Sequence, residues 1–548
     1  MIDPRPAGAR GRRQPRAALV VSPRVAVLDG VPTGASAALA LLAVALGWRG
    51  ADLPAALYRI NDFRLRGFQL WDSQWYGGHH ALGWSVLLPP VGAVLGPALT
   101  GVGSALVATW LFAGLARRHL GRAALAASVV FAAGTVVNQA VGRLPFSLGL
   151  AIGLGAVVVG LERRRWPWGV GLAVATTLAS PVAGAFVALA AGAWALTEVR
   201  RPSEWRLVRC EGVAVAFGAA APIAVVAVAF PDGGRFPFRG AAYLCLLLVC
   251  LGLWLAVPRA DAFRAVRVGI VLYAFTATAV FVVPNPMGAN VVRLGTVVGA
   301  PLAVAALWGG RRWIAVIVAG GLLWWHWSPA LDSMLHAGRD PSASAGYFAP
   351  LVGALEHAGA GDRVEIPFTR HHWETVYVPD HAPLARGWER QLDLRYNDVL
   401  YTPALDAATY HQWLLDNAVR FVALPDVEID ASSAAEAAIL ATPPSWLRPV
   451  WHDAHWRLWE VADARPVADR PARLLRSDDV GFALDVPSPG SYVVRIHHSP
   501  RFSVGGDGEV ACVSATPDGW TRVVVRRPGL VEVSVSLRSA PDSACPAT

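Results

Sequence analysis

The residue types best able to do chemistry gather in one polar stretch. It runs from Arg49-Gly-Ala-Asp52 through Tyr58-Arg59-Ile60-Asn61-Asp62 to Trp71-Asp72-Ser-Gln-Trp75-Tyr-Gly-Gly-His79-His80. A carboxylate here can take the proton from an attacking hydroxyl, provided it lies within hydrogen-bond reach of that group. A guanidinium can grip a phosphate or a carboxylate through two parallel N–H donors. Two further arginines stand alone at the mouths of apolar segments: Arg143 in Asn138-Gln-Ala-Val-Gly-Arg-Leu-Pro-Phe146, and Arg293 in Pro284-Asn-Pro-Met-Gly-Ala-Asn290-Val-Val-Arg293. An unpaired charge is costly to bury at such a place. Each therefore has a partner, either a protein carboxylate or lipid phosphate, or the phosphate of a lipid-linked substrate. His79 and His80 are adjacent, so in extended chain their rings point opposite ways and a shared metal ion is disfavoured.

These residues are positioned by long apolar segments. Arginine-rich breaks recur on every second gap between apolar runs: Arg10, Arg12, Arg13 and Arg16; Arg117, Arg118 and Arg122; Arg163 to Arg165; Arg200, Arg201, Arg206 and Arg209; Arg259, Arg264 and Arg267; Arg311 and Arg312. Short basic loops stay in the cytoplasm. The alternation predicts a polytopic α-helical membrane protein of about eleven spans, near Thr33–Trp48, Leu99–Ala116, Ala123–Val141, Phe146–Leu161, Trp168–Ser180, Val182–Thr197, Val213–Phe230, Ala241–Val257, Val268–Val283, Gly295–Trp308 and Ile314–Trp327. Several are shorter than the roughly 20 residues that cross a bilayer core. The stretch Trp168–Thr197, interrupted by Ser180-Pro181, is either a hairpin of two short helices or a re-entrant pair. The arginines keep the basic N-terminus (1–32) in the cytoplasm, as part of a retained signal anchor rather than a cleaved peptide, and an odd number of spans puts the two termini on opposite sides. The first loop (49–98), Arg143, Arg293 and everything after the membrane portion (33–328) then lie outside. Tryptophans at such borders, Trp48, Trp71, Trp75 and Trp84 among them, are ordinary interfacial residues.

Composition agrees. The chain is 54% hydrophobic, and its net charge of +9 comes from 48 basic residues with no lysine among them. That excludes a P-loop lysine and Schiff-base chemistry. The arginines mark membrane borders and anionic-lipid contacts, not nucleic acid. The five cysteines show no zinc-type spacing. Cys512 and Cys545 fall in the tail, where an oxidising exterior permits a bridge, and two free thiols is the equal alternative.

The tail of about 220 residues is long enough for one or two ordinary domains. Residues 329–465 mix strand-like Val364–Phe368, Val419–Leu424 and Trp456–Val461 with a helix opened by Asp406, an expected N-cap and the mark of an α/β unit. Residues 466–548 alternate, as in Val531, Val533, Val535 and Leu537 against Glu532, Ser534 and Ser536, with similar runs at Phe482–Val486, Tyr492–Ile496, Glu509–Val513 and Thr521–Val525. That pattern predicts an antiparallel β-sandwich. The fold alone assigns it no role.

A long first outer loop opening with an aspartate, short membrane helices and an extracytoplasmic C-terminal portion together resemble the GT-C class of membrane glycosyltransferases that use polyprenyl-phosphate sugars. A nearer resemblance is to actinobacterial membrane proteins grouped as related to 6-pyruvoyl-tetrahydropterin synthase. It is carried by Asp52-x5-Tyr58-Arg59-Ile60, Gly142-Arg143-Leu-Pro-Phe146, Gly288-Ala-Asn290-Val-Val-Arg293 and Ala385-Arg386-Gly-Trp388-Glu-Arg390-Gln-Leu-Asp393. The resemblance implies that Asp52 acts as general base on an acceptor hydroxyl, with Asp72 second and Asp62 third. It implies that Arg143 and Arg293, with Arg59 as alternate and Asn290 beside them, hold the donor phosphate. The loop carries single aspartates where many GT-C members have an acidic pair, so no cofactor is fixed and a divalent metal is left open. The implied partners are a polyprenyl-phosphate sugar and an envelope glycan or lipid acceptor. A lipid transporter or flippase, and a non-catalytic envelope scaffold, are the rival classes. The spans hold almost no ionisable residues and show no clear internal repeat, which disfavours transport.

Overall fold

A computed structural model of the protein describes residues 23–160, 162, 164–197, 205–337, 340–359, 361–505, 511–537 and 545. Arg10, Arg12, Arg13, Arg16, Arg163, Arg200 and Arg201 lie outside the described residues, as do the side chains of Arg206, Arg209 and Cys210. The membrane portion contains α1 (Pro23–Ala45), α2 (Leu53–Arg66), α3 (Leu88–Leu95), α4 (Pro97–His119), α5 (Ala124–Val141), α6 (Leu144–Gly160), α7 (Trp166–Ala179), α8 (Pro181–Thr197), α9 (Trp205–Ala229), α10 (Gly240–Ala256), α11 (Arg264–Val282), α12 (Val292–Leu307) and α13 (Arg312–Ala337). Each of the eleven apolar segments is helical over most of its described length. Six helices among the described residues are long and apolar enough to cross a membrane, and others of 10–17 residues are as apolar but shorter. Their outer faces expose Phe217, Val228, Leu248, Phe275, Ile317 and Trp324. A row of large apolar side chains facing outward is stable only against lipid. The protein is a polytopic α-helical membrane protein.

Proline and glycine set the helix boundaries. Pro181 stands at the first position of α8, where its missing N–H is no loss, and Ser180 before it is extended. The doubtful stretch is thus two separate helices. Small residues let the helices approach closely: a Cβ on Gly169 would meet the backbone of Gly160, and one on Gly149 would meet Ser180 and Ala183. Such contacts suit association in lipid, where apolar burial alone gives little.

The first loop is not a plain connector. Between α2 and α3 it forms a two-stranded hairpin, β1 (Trp71–Asp72) and β2 (His79–His80). Trp71 and Trp75 are 2% and 0% exposed, so neither is an interfacial belt residue. Trp71 packs into the core of the last β-structure against Phe502, and Trp75 packs into the core of the preceding α/β unit. Burying rings of this size contributes about 4 kcal/mol each at ~25 cal/mol per Å². The loop is therefore the keel on which the tail is mounted.

The α/β unit contains α14 (Ala345–Gly359), β3 (Arg363–Glu365), α15 (Glu374–Tyr377), α16 (Arg390–Tyr396), α17 (Ala407–Asp416), β4 (Val419–Pro425), α18 (Ala434–Ala441), β5 (Leu447–His452) and β6 (Trp456–Val461). Its sheet order is β3-β4-β6-β5, with β3 parallel to β4 and the other pairs antiparallel. The Asp406 carboxylate caps α17 by accepting the Thr409 N–H at 2.8 Å. The remaining strands are β7 (Arg473–Asp478), β8 (Gly481–Val486), β9 (Gly490–His497), β10 (Phe502–Val504), β11 (Ala511–Ala515), β12 (Trp520–Val525) and β13 (Gly529–Val535). They form two antiparallel sheets, β10-β13-β8-β7 and β11-β12-β9, around Phe482, Leu484, Val494, Val523 and Val533. Cys512 in β11 is disulfide-bonded to Cys545.

Candidate functional site

Two glycines bring the start of the loop against the α5–α6 turn. Gly142 closes α5 with φ +87° and donates its N–H to Asn138 and Gln139, a conformation that costs glycine little. A Cβ at Gly142 would strike Leu53, and one at Gly50 would strike the backbone of Val141. The Asp52 N–H donates to the Val141 carbonyl at 3.1 Å. Asp52 stands at the N-cap of α2, yet its side chain caps nothing there. It turns to Arg143, whose Nε donates to Oδ2 at 2.9 Å, and Arg293 Nη2 lies 4.0 Å from the same oxygen. Arg293 reaches there from the first turn of α12, with its guanidinium 5.5 Å from the Phe146 ring centre. These three side chains are 35%, 23% and 22% exposed, so the pairing is open on one side.

That side is a cavity of about 650 Å³, lined at its polar end by Asp52, His80, Arg143, Asp232, Asn290 and Arg293. Its wall continues as an apolar surface of Phe146, Leu178, Val182, Ile223, Val226 and Phe230. The turns α5–α6, α7–α8, α9–α10 and α11–α12 all contribute. The arginine-rich turns Arg117–Arg122, Arg164–Arg165, Arg259–Arg267 and Arg311–Arg312 join these helices at their other ends.

The α/β unit closes the polar end. Its segment from Gly387 to Arg395 is fixed at several points. Trp388 Nε1 donates to the Ala51 carbonyl at 2.9 Å, Gln391 donates to Pro286 at 3.3 Å, and Arg395 donates to Pro231 at 2.5 Å. Tyr76 donates to the Gly387 carbonyl and accepts the Glu389 N–H at 2.9 Å. Behind it Arg386, almost wholly buried, pairs with Asp393 at 2.7 Å and Glu436 at 2.5 Å. The nearby Glu365 carboxyl is held well above the usual range by burial and by Glu436. The segment is a rigid roof.

The remaining sequence candidates sit elsewhere. Arg59 and Asp72 are buried beneath the roof, 3.3 Å apart, and Arg59 also reaches Glu389 at 3.3 Å and His79 Nε2 at 2.8 Å. Asp72 further accepts from Tyr58 at 3.0 Å and from the Gln74 N–H at 2.8 Å. Burial raises the Asp72 carboxyl above its usual range against the pull of Arg59. Burial, with Arg59 alongside, pushes His79 well below its ordinary value. The charges of this network are paired, the buried His79 Nδ1 has no partner among the described residues, and neither Arg59 nor Asp72 lines the cavity, whereas Glu389 does. Asp62 pairs with Arg66 at 2.5 Å on the periphery, where Arg66 also meets Asp380 and Asp479. His79 and His80 face different partners, Arg59 and Asp232.

Three cavity residues escaped the sequence reading: His80 as a cavity group, Asp232 and Glu389. Glu389 lay inside a segment singled out by resemblance, and Asp232 follows a span in Pro231-Asp-Gly-Gly234. No local pattern ties either to Asp52. A divalent metal does not fit beside Asp52, because two guanidinium groups already face its carboxylate and would repel a cation. No group of three or more His, Cys, Asp or Glu side chains converges among the described residues.

No protein-family profile and no curated protein matches the chain. Among solved structures, the oligosaccharyltransferase of Archaeoglobus fulgidus tethered to an acceptor peptide aligns with 72% of this chain and 69% of its own, at 13% identity and a TM-score of 0.41. ArnT from Cupriavidus metallidurans bound to undecaprenyl phosphate aligns with 81% of this chain and 99% of its own, at 14% identity and a TM-score of 0.40. A second structure of the Archaeoglobus protein, with Zn and sulfate, aligns over 73% and 68% at 12% identity and a TM-score of 0.40. These similarities are weak, and the chemistry has to come from the cavity's own residues.

Proposed function

We propose that the protein is a membrane glycosyltransferase that moves a sugar from a polyprenyl-phosphate donor to an extracytoplasmic acceptor of the cell envelope. One observation carries the proposal: a single cavity joins two convergent arginines, Arg143 and Arg293, to a continuous apolar wall at the ends of membrane helices. Such a cavity has the polarity of a lipid phosphate, anionic at one end and hydrocarbon at the other. Bidentate donation suits the phosphate, and the apolar turns suit the first isoprene units. Stabilising the departing phosphate where charge develops supplies catalysis without ATP.

The positive-inside rule assigns the arginine-rich turns to the cytoplasm, which sets the cavity and the tail (329–465 and 466–548) on the outer side. Asn290 is buried on the cavity wall, and in this reading it meets the donor headgroup. Asp52 serves in this reading as the carboxylate that a phosphate displaces from the arginines.

The test is binding of radiolabelled polyprenyl monophosphate to the purified protein in lipid nanodiscs, with an envelope sugar profile of a deletion strain. The expected results are saturable binding lost in R143A/R293A, and a missing sugar restored by the wild-type gene. Unchanged glycans with altered lipid sidedness would instead identify a flippase, and unchanged glycans and lipids a scaffold.

A further inference from the structure

One cavity carboxylate is out of the arginines' reach. Asp232, in the turn between α9 and α10, lines the cavity and is 17% exposed, and its one ion-pair partner among the described residues is His80. Both of its donors converge on one oxygen: the backbone N–H and the ring Nδ1 of His80 each lie 2.6 Å from Oδ2. The other ring nitrogen, Nε2, is 2.8 Å from Ser499 Oγ. The ionised Asp232 carboxylate can only accept, so Nδ1 bears a proton, and in the neutral ring Nε2 then accepts the Ser499 hydroxyl proton while Ser499 Oγ accepts the Arg501 N–H at 3.0 Å. His80 then carries its proton on Nδ1 and presents it to Asp232. No donor from the described residues reaches Oδ1.

Asp232, His80 and Ser499 have the hydrogen-bond order of a hydrolase triad. Ser499, however, is fully buried and does not line the cavity. It cannot be the nucleophile, and its role is to orient the ring. Glu389 is already engaged by Arg59, and Asp52 presents Oδ2 to two guanidinium groups. We infer that Asp232 is the catalytic base that takes the proton of the acceptor hydroxyl, and that His80 is its positioning residue, itself held by Ser499 of the β-sandwich. The inference rests on the glycosyltransferase reading above.

The step balances within the cavity. The acceptor oxygen forms a bond to the anomeric carbon, and the bond from that carbon to the phosphate oxygen breaks. Its electron pair stays with the phosphate, which leaves as polyprenyl phosphate facing Arg143 and Arg293. The hydroxyl proton passes to Oδ1 of Asp232. Burial works against ionising this carboxyl, but the hydrogen bonds from His80 prevail and hold it below the usual carboxylate range. It is therefore ionised at neutral pH, the form a base needs. The arrangement also links the sandwich to the chemistry, since Arg501 beside Ser499 docks on the end of α9 through the Ala229 carbonyl at 2.9 Å.

The experiment compares D232N, D232E and H80N with wild type in the deletion strain and in nanodiscs. D232N is expected to lower restoration of the missing envelope sugar by at least ~100-fold, the usual worth of a general base, while binding of polyprenyl monophosphate stays within about twofold. D232E should recover part of the loss, and H80N should lower transfer less than D232N without changing donor binding. Restoration by D232N at the wild-type level would overturn the inference, as would loss of polyprenyl phosphate binding in D232N. Absence of polyprenyl phosphate binding in the wild type would instead overturn the glycosyltransferase reading on which it stands.

Discussion

Two clusters where the first loop meets the tail use the same side chains to opposite ends. Beneath the roof, Arg59 meets Asp72 and His79, both buried, and Glu389, 14% exposed at the cavity edge, so each charge meets an opposite charge or a hydrogen bond. At the cavity, Arg143, Arg293 and Asp52 are a fifth to a third exposed, and they share one carboxylate between two cations. The first cluster has one more acid than it has arginine; the second has one more arginine than it has acid. A network whose charges are paired holds segments together. An open one with cation to spare is what the proposed anion needs.

The contrast can be broken in four ways. The largest effect is expected at the open cluster: R143A should reduce transfer by about 10³-fold, near 4 kcal/mol of transition-state stabilisation, with little change in thermal unfolding. R143K should restore only part of this, because an ammonium cannot donate in a fork. Envelope labelling in the deletion strain measures both, and full activity of R143A would erase the distinction between the clusters.

At the closed cluster the expectation is reversed. R59M leaves Asp72 and Glu389 without their cation in a buried place, which costs on the order of 3–5 kcal/mol. The outer portion should unfold at lower temperature and become sensitive to protease, while molecules that remain folded bind polyprenyl phosphate normally. A stable R59M protein with lost phosphate binding would move Arg59 into the site.

The third effect depends on pH. The Asp479 carboxyl, buried near Asp72 and Asp62, is pushed up to about 7, whereas an unfolded aspartate titrates near ~4. Its folded pKa is raised, so its contribution is full below about pH 4 and is lost as pH rises through 7. Melting temperature should fall across that window in the wild type, and the fall should flatten in D479N. The smallest effect is expected at Asp62: its pairing with the part-exposed Arg66 is worth less than ~1 kcal/mol, and D62N should leave transfer unchanged.

The helices were legible because apolar runs and arginine breaks are local signals. Asp52, Arg143 and Arg293 stand out in any window as polar residues at the mouths of apolar segments, and the fold brings them together. The partition of the loop was not legible. Asp72 and Asp52 look alike along the chain, and what separates them is Tyr58 and Arg59 closing over one while the α5–α6 turn meets the other. His80 finds Asp232 across 152 residues and Ser499 across 419, contacts that no periodicity encodes. Trp71 and Trp75 were misjudged for a related reason: a tryptophan near a membrane border is ordinarily interfacial, and only the tail folding back onto the loop buries these two. Strands β5, β7 and β10 were missed because their residues do not alternate cleanly; Arg473–Asp478 exposes nearly every side chain.

The link from Asp52 to Arg143 and Arg293 also matters for how the protein is made. If the cavity takes a lipid phosphate as proposed, a newly inserted chain does not yet hold it, and two bare cations there would repel the turns that must come together. A resident counter-ion lets α2, α6 and α12 assemble first and exchange it later. On that view Asp52 is the occupant that keeps the seat until the anion arrives, and its replacement by asparagine should show in the yield of inserted protein as well as in its activity.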